Sequence, residues 1–257
     1  MTSDGQLEAL ETERLAVQAR DGQSPAQTIR DAATLIIVDE AANTEKGGEP
    51  RFLMGLRGRA HVFMANRFVF PGGRVDDTDR DFGSAFTLSA DVVARLGASV
   101  APGFGARDAA GLALAAIRET YEETGLLIAH ESALSSPYPT EFAAFAERGM
   151  TPAVDWLVPV ARAITPEGSP RRFDTRFFVI NASRIGTVCE TFTPPTDEFD
   201  TIRWVSTGAL DDHSLAPITR TVLGDLANRM ADGSWLDAAQ AMPFYRIVDG
   251  RFQKDLI

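Results

Sequence analysis

A chain of 257 residues, 44% hydrophobic and 24% charged, can bury a full core and has room for one large α/β domain or two small ones. Its formal net charge of -11 argues against a partner as acidic as a nucleic-acid backbone, and no apolar run approaches the ~20 residues of a membrane span. A single cysteine, Cys189, excludes an intrachain disulfide and any multi-cysteine zinc site, and His61, His130 and His213 lack metal-ligand spacing. Met1 to Gly5 have none of the pattern of a secretory signal, so the expectation is a protein of the reducing cytoplasm with no membrane and no nucleic-acid partner.

In chain order, residues 1–30 read as a polar N-terminal extension, with a short helix over Leu7 to Arg20 and a break at Gly22 to Pro25. Ala32 to Val38 is dense in β-branched and aliphatic residues and predicts a buried strand. A turn at Glu45 to Pro50 leads into Arg51 to Leu56, its hairpin partner. Arg67 to Phe70 is a short strand that runs into Pro71-Gly72-Gly73, a tight turn able to offer backbone groups at close range. The polar and glycine-bearing stretch from Asp76 to Arg107, with one helix over Ser89 to Leu96, reads as an insertion packed over or beside a site.

Asp108 to Thr124 predicts a helix, with Asp108 as N-cap and Gly125 as the C-terminal stop. At ~100° per residue, Glu119, Glu122 and Glu123 fall within about 100° of one another. Ala110, Leu114, Ile117 and Tyr121 lie opposite, giving one face to bury and another to present acid. Alone, such a cluster reads as a solvated face, on which like charges repel; a divalent cation would turn that repulsion into ligation. Further on, strands are expected at Leu126 to Ala129, Trp156 to Ala161, Arg172 to Ile180, Ile202 to Val205 and Tyr245 to Val248. Helices are expected over Glu141 to Arg148, from Ser206 to Leu210 and over Pro217 to Ala231. No repeat and no linker divides the chain, so residues 31–257 read as one domain.

Pro71-Gly72-Gly73 followed by Arg118-Glu119-x-x-Glu122-Glu123-x-Gly125-Leu126 resembles the signature of the Nudix hydrolases. Gly73 stands at the signature glycine, Asp79 where a glutamate is usual, and Thr120 where an aliphatic residue is common. Between Asp79 and Arg118 lie 38 residues where the family pattern has seven, so the box is split by an insert of 31, over about 80–107. A split box after Phe70-Pro71-Gly72-Gly73, with Pro170 to Phe178, resembles the branch related to peroxisomal coenzyme A diphosphatases. The arginine near Val62 and the glycine near Asn66 that a coenzyme A motif calls for are absent.

The resemblance implies an α/β/α sandwich with a mixed sheet. It implies metal-dependent hydrolysis of a diphosphate linkage in a small-molecule nucleoside diphosphate derivative, with coenzyme A and acyl-coenzyme A among the candidates. Mg²⁺ or Mn²⁺ would be held by Glu119, Glu122, Glu123 and the Gly73 carbonyl, suited to a hard cation. Arg118 would fix the Glu122 carboxylate four residues on, and Ala115 and Ala116, one turn back, would leave space for metal or phosphate. A further acid from a later loop is expected at Glu198, with Glu190 second. Arg57, Arg171 and Arg172 are the candidates for substrate phosphate, and a homodimer is a family-level expectation. Two other readings stay open: a catalytically silent sensor of nucleotides or ADP-ribose, and an isoprenyl diphosphate isomerase using Cys189.

Overall fold

The structure, a computed structural model, describes residues 3–21, 28–40, 48–58, 66–100, 102–186 and 188–257. The break at Gly22 to Pro25, the first half of the Glu45 to Pro50 turn, His61 and Val62 lie outside them.

Everything is arranged on strand β1 (Ile29–Asp39), whose apolar run is buried on both faces. One edge pairs in parallel with β8 (Arg172–Asn181) from Ile29↔Arg172 to Val38↔Asn181. The other edge is shared. Residues Ala32 to Thr34 take β4 (Gly72–Arg74), and Val38 and Asp39 take β2 (Arg51–Arg57). The expected hairpin therefore meets at only two register positions before β2 turns away with β3 (Phe68–Val69) and β9 (Phe199–Ser206). Past β8 come β7 (Val158–Ile164), β10 (Pro243–Val248) and β11 (Arg251–Leu256), completing a mixed sheet. β11 is an addition to the strands expected from the sequence.

Period-two alternation along β1 splits the core. Ala33, Leu35 and Ile37 pack with helix α4 (Ala106–Thr124), whereas Ile36 and Val38 join Leu10, Val222 and Leu226 on the other face. Each of the Leu, Ile and Val side chains, fully buried, contributes about 1.5–3 kcal/mol. Helices α2 (Asp77–Gly83) and α3 (Ala90–Leu96) accompany α4, and α1 (Ser3–Asp21) and α6 (Pro217–Ala231) cover the opposite face. The architecture is the expected α/β/α sandwich with a mixed sheet.

The stretch 76–107 packs beside α4 and contributes no residue to the cavity described below. α2 crosses α4 where both carry glycine. A Cβ on Gly83 would come to 2.5 Å from the Arg107 carbonyl, and one on Gly111 to 3.0 Å from Arg80 Cα. α3 starts with the Ser89 hydroxyl accepting from Val92 N–H, and its end docks on two buried arginines: Arg176 donates to the Leu96 carbonyl and Arg162 to that of Ala98. Both arginines reach Asp174, so the insertion is fastened to β7 and β8 through charge-assisted bonds.

Three local expectations are corrected. Asp108 is the third residue of α4, not its N-cap; its carboxylate accepts from Gly105 N–H at 3.0 Å. Ala115 and Ala116 have no exposure and belong to the core, so they bring α4 close to its neighbours and leave no open space. Leu126 to Ile128 are not strand. Only Ala129 and His130 pair, as β5, with Thr151 and Pro152, as β6. Both edges of β1 are already taken, so the run packs into the α4-side core through Ile128, Leu126 and Leu127 instead.

Candidate active site

Gly72 and Gly73, expected in a tight turn, are instead paired with β1 as β4, and Pro71 just before them sits in the gap where β1 changes partners from β4 to β2, its carbonyl accepting from Leu35 N–H at 2.9 Å. The C-terminal end of α4 comes up beneath it. Glu123, 1% exposed, accepts from Gly72 N–H at 2.9 Å. At Gly73 a Cβ would stand 2.4–2.6 Å from the Glu119 carboxylate, so any side chain here would displace that carboxylate. α4 ends at Gly125, whose φ of 78° returns its N–H to the Tyr121 carbonyl. The acid face therefore points into the split of the sheet, not into open solvent.

Arg118 holds this end together. It forks onto Asp79 through two 2.9 Å bonds, donates to Glu119 at 2.9 Å and to Glu122 at 3.3 Å, and reaches the Arg74 carbonyl. The expected pairing with Glu122 is present, but the tighter partner is Asp79, wholly buried and 39 positions back in the sequence. Asp79 also accepts from Asp76 N–H, capping the start of α2. The two halves of the motif meet in space across the insertion.

Glu198 arrives by a separate route. The loop before β9 docks on the end of α4 through Thr196, whose N–H and hydroxyl both reach the Glu122 carbonyl. The Arg57↔Phe199 pairing then sets Glu198 beside Arg57, which donates to it at 2.8 Å and to Glu123 at 3.5 Å. Glu190 lies elsewhere, paired with Arg51. Arg171 is exposed, and Arg172 gives its Nε–H to the Thr165 carbonyl; neither lines the cavity. Cys189 does not line it either, and its carbonyl accepts from Trp204.

Among the described residues, Asp79, Glu119, Glu122, Glu123 and Glu198 in this cluster pair only with Arg118 and Arg57. Burial, reinforced by neighbouring carboxylates, raises all three glutamates at the end of α4. Burial pushes Glu119 up to about 7, opposed by Arg118 and reinforced by Glu122 and Glu198. Burial raises Glu122 as well, and lifts Glu123 well above the usual carboxylate range despite the Gly72 N–H. Burial would depress Arg118, but its bond to Asp79 and the charges of Glu119, Asp79 and Glu122 leave it raised.

Beside the cluster lies a cavity of about 400 Å³. Gly72, Gly73 and Arg57 belong to both, and among the described residues the buried Arg57 Nε has no hydrogen-bond partner. From there the cavity runs along the face of the sheet opposite α4, over Thr34, Phe177, Thr175 and Phe173.

No protein-family model matches the chain. A crystal structure of a NUDIX hydrolase from Alicyclobacillus acidocaldarius aligns with a TM-score of 0.58 at 22% identity, over 79% of this chain and 93% of that one. The fold is the Nudix fold. In sequence, the chain is 30% identical over 162 residues to a Caenorhabditis elegans protein that its name assigns to the nudix hydrolases (nudix hydrolase 7). That match takes in 59% of this chain and 44% of the relative, so the chain spans less than half of the relative's length.

Hard oxygen donors suit Mg²⁺ or Mn²⁺, and Mg²⁺ is commonly held by one or two carboxylates with water and substrate phosphate completing the shell. The buried surplus of carboxylates fits such an ion. Among the described residues no group of three or more His, Cys, Asp or Glu side chains is placed to hold a metal ion, and Arg118 and Arg57 donate to oxygens of Glu119, Glu122, Glu123 and Glu198. Asn66 carries a φ of 57°, the left-handed region where a glycine sits freely and asparagine is tolerated.

Proposed function

We propose that this chain is a Nudix hydrolase with a split box, cleaving the diphosphate linkage of a nucleoside diphosphate derivative with the help of Mg²⁺ or Mn²⁺. The observation that carries the reading is the meeting of a buried, under-neutralised carboxylate cluster with a cavity through Gly72, Gly73 and Arg57. A diphosphate is polyanionic and kinetically inert, so its hydrolysis needs charge neutralisation, an activated water and a positioned phosphorus.

Glu119, Glu122 and Glu123 would hold the metal with the Gly73 carbonyl, and a bound divalent ion would neutralise phosphate charge and acidify water. Arg118 is a positioning residue, keeping Glu119 and Glu122 in place while Asp79 anchors it from behind. Glu198, partly exposed beside Arg57, is the candidate to accept a proton from water. Arg57, which lines the cavity beside Gly72 and Gly73, is the candidate to receive substrate phosphate. Arg171 and Arg172 stand outside the cavity lining and are weaker candidates.

The deciding experiment is a panel of coenzyme A, acyl-coenzyme A, ADP-ribose, NADH, diadenosine polyphosphates and nucleotide sugars, each with Mg²⁺, Mn²⁺ or chelator. Metal-dependent cleavage of one class into two phosphomonoester products, one of them a nucleotide, supports the reading and names the substrate. Hydrolysis of none, with binding of one, would replace it with the silent sensor.

A further inference from the structure

Helix α1 contributes Leu10, Glu13, Arg14 and Val17 to the cavity lining. Their spacing, i, i+3, i+4 and i+7, is one stripe of a helix, so a single face of α1 is turned to the cavity. α1 spans from one side of the cavity to the other. Leu10 is buried against the core, and Gln6 donates to the Thr221 carbonyl of α6 at 3.2 Å. Glu13 pairs with Arg67 beside β3, and Glu11 accepts from Phe252 of β11. Gln18 lies over the loop after β7, its Cγ 3.2 Å from where a Cβ on Gly168 would stand.

Below this stripe the floor is β8. Phe173, Thr175 and Phe177 point to the same face, and four residues at ~3.3 Å each make a floor of roughly 13 Å. Register fixes its orientation. Phe177 pairs with Thr34, and Thr34 with Gly72, so the Phe177 end abuts the carboxylate cluster and the Phe173 end lies far from it. A group linked to a diphosphate held at Gly72-Gly73 would therefore extend along the floor beneath α1.

We propose that α1 is the roof of the substrate cavity and decides which organic group can accompany the diphosphate, with Val17 and Arg14 as specificity-determining side chains. The floor carries two phenylalanines, and Phe252 also lines the space, so the fitting group is an aromatic ring system such as a nucleobase. The proposal rests on the hydrolase reading for where the diphosphate lies, and a test by binding keeps the two separable.

Binding of ADP and of methylenediphosphonate, which has the linked phosphorus groups but no organic group, is measured calorimetrically with Mg²⁺ on the full chain. Val17→Trp fills the space under the roof, and Leu15→Trp places the same residue on the exposed side of the helix. The expectation is that Val17→Trp weakens ADP at least tenfold and shifts methylenediphosphonate less than twofold, while Leu15→Trp moves neither. Arg14→Ala, which removes bulk, should also weaken ADP alone and serves where Val17→Trp fails to fold. Equal ADP affinity in Val17→Trp and the unsubstituted protein, equal loss for both probes, or no preference for ADP in the unsubstituted protein would each overturn the proposal. Failure of the hydrolase reading is seen separately, as absence of turnover across the substrate panel.

Discussion

Replacing Asp79 with alanine would cut the tie between α2 and the acidic end of α4. Asp79 has no exposure and meets Arg118 through a fork of two 2.9 Å bonds. Removing one partner of a buried ion pair costs about 3–5 kcal/mol, because the remaining charge is left buried and uncompensated. Arg118 keeps the Arg74 carbonyl, Glu119 and Glu122, so the expected loss is at the lower end, about 3 kcal/mol. In a chain of this size that is a fall in Tm of roughly 6–12 °C by calorimetry. A cycle with Arg118→Met isolates the pair: the double variant should lose clearly less than the sum of the singles, by more than about 1 kcal/mol. A Tm within about 2 °C of the unsubstituted protein, or additive losses, would refute the view that this ion pair joins the box across the insertion.

Gly73→Ala should sharply lower turnover while the protein still folds, since its Cβ would overlap the Glu119 carboxylate; turnover equal to the unsubstituted protein would contradict that geometry. Arg57→Ala should raise KM more than it lowers kcat, as loss of substrate binding does, and an unchanged KM would remove Arg57 from the phosphate site. The helix acids also make stability depend on pH. Glu119 is pushed up to about 7 when folded, so between pH 4.5 and 7 the native state holds a proton that the unfolded chain has lost. Metal-free protein should therefore lose stability as pH rises through this window, by about 3 kcal/mol from Glu119 alone. Mg²⁺, which favours the ionised carboxylates, should raise Tm more at pH 8 than at pH 5.5; a metal effect that shrinks as pH rises would contradict the assignment.

The geometry of the acid helix was legible because it is local. Arg118 and Glu122 are four residues apart, Gly125 stops the helix by its own left-handed φ, and Ser89 caps α3 within one turn. What escaped sequence reading depends on distant partners. Nothing near Asp79 reveals that its partner is Arg118, since the match is made by α2 crossing α4 at Gly83 and Gly111. The face of α1 toward the cavity was hidden for another reason: it mixes Leu10 and Val17 with Glu13 and Arg14, so the helix shows no strong apolar stripe. Ala115 and Ala116 looked like open space because small side chains mean either a gap or close packing, and only the neighbouring layers decide which.

The central claim is that Glu122 acts in metal-dependent catalysis from a site where its charge is unwelcome in the metal-free fold. Steady-state turnover and thermal melting of Glu122→Gln, on whichever diphosphate the unsubstituted protein hydrolyses, test it together. Turnover should fall on the order of 10²–10⁴-fold, with the metal-free Tm unchanged or higher because burial already raises the Glu122 pKa. Unaltered turnover would contradict the account.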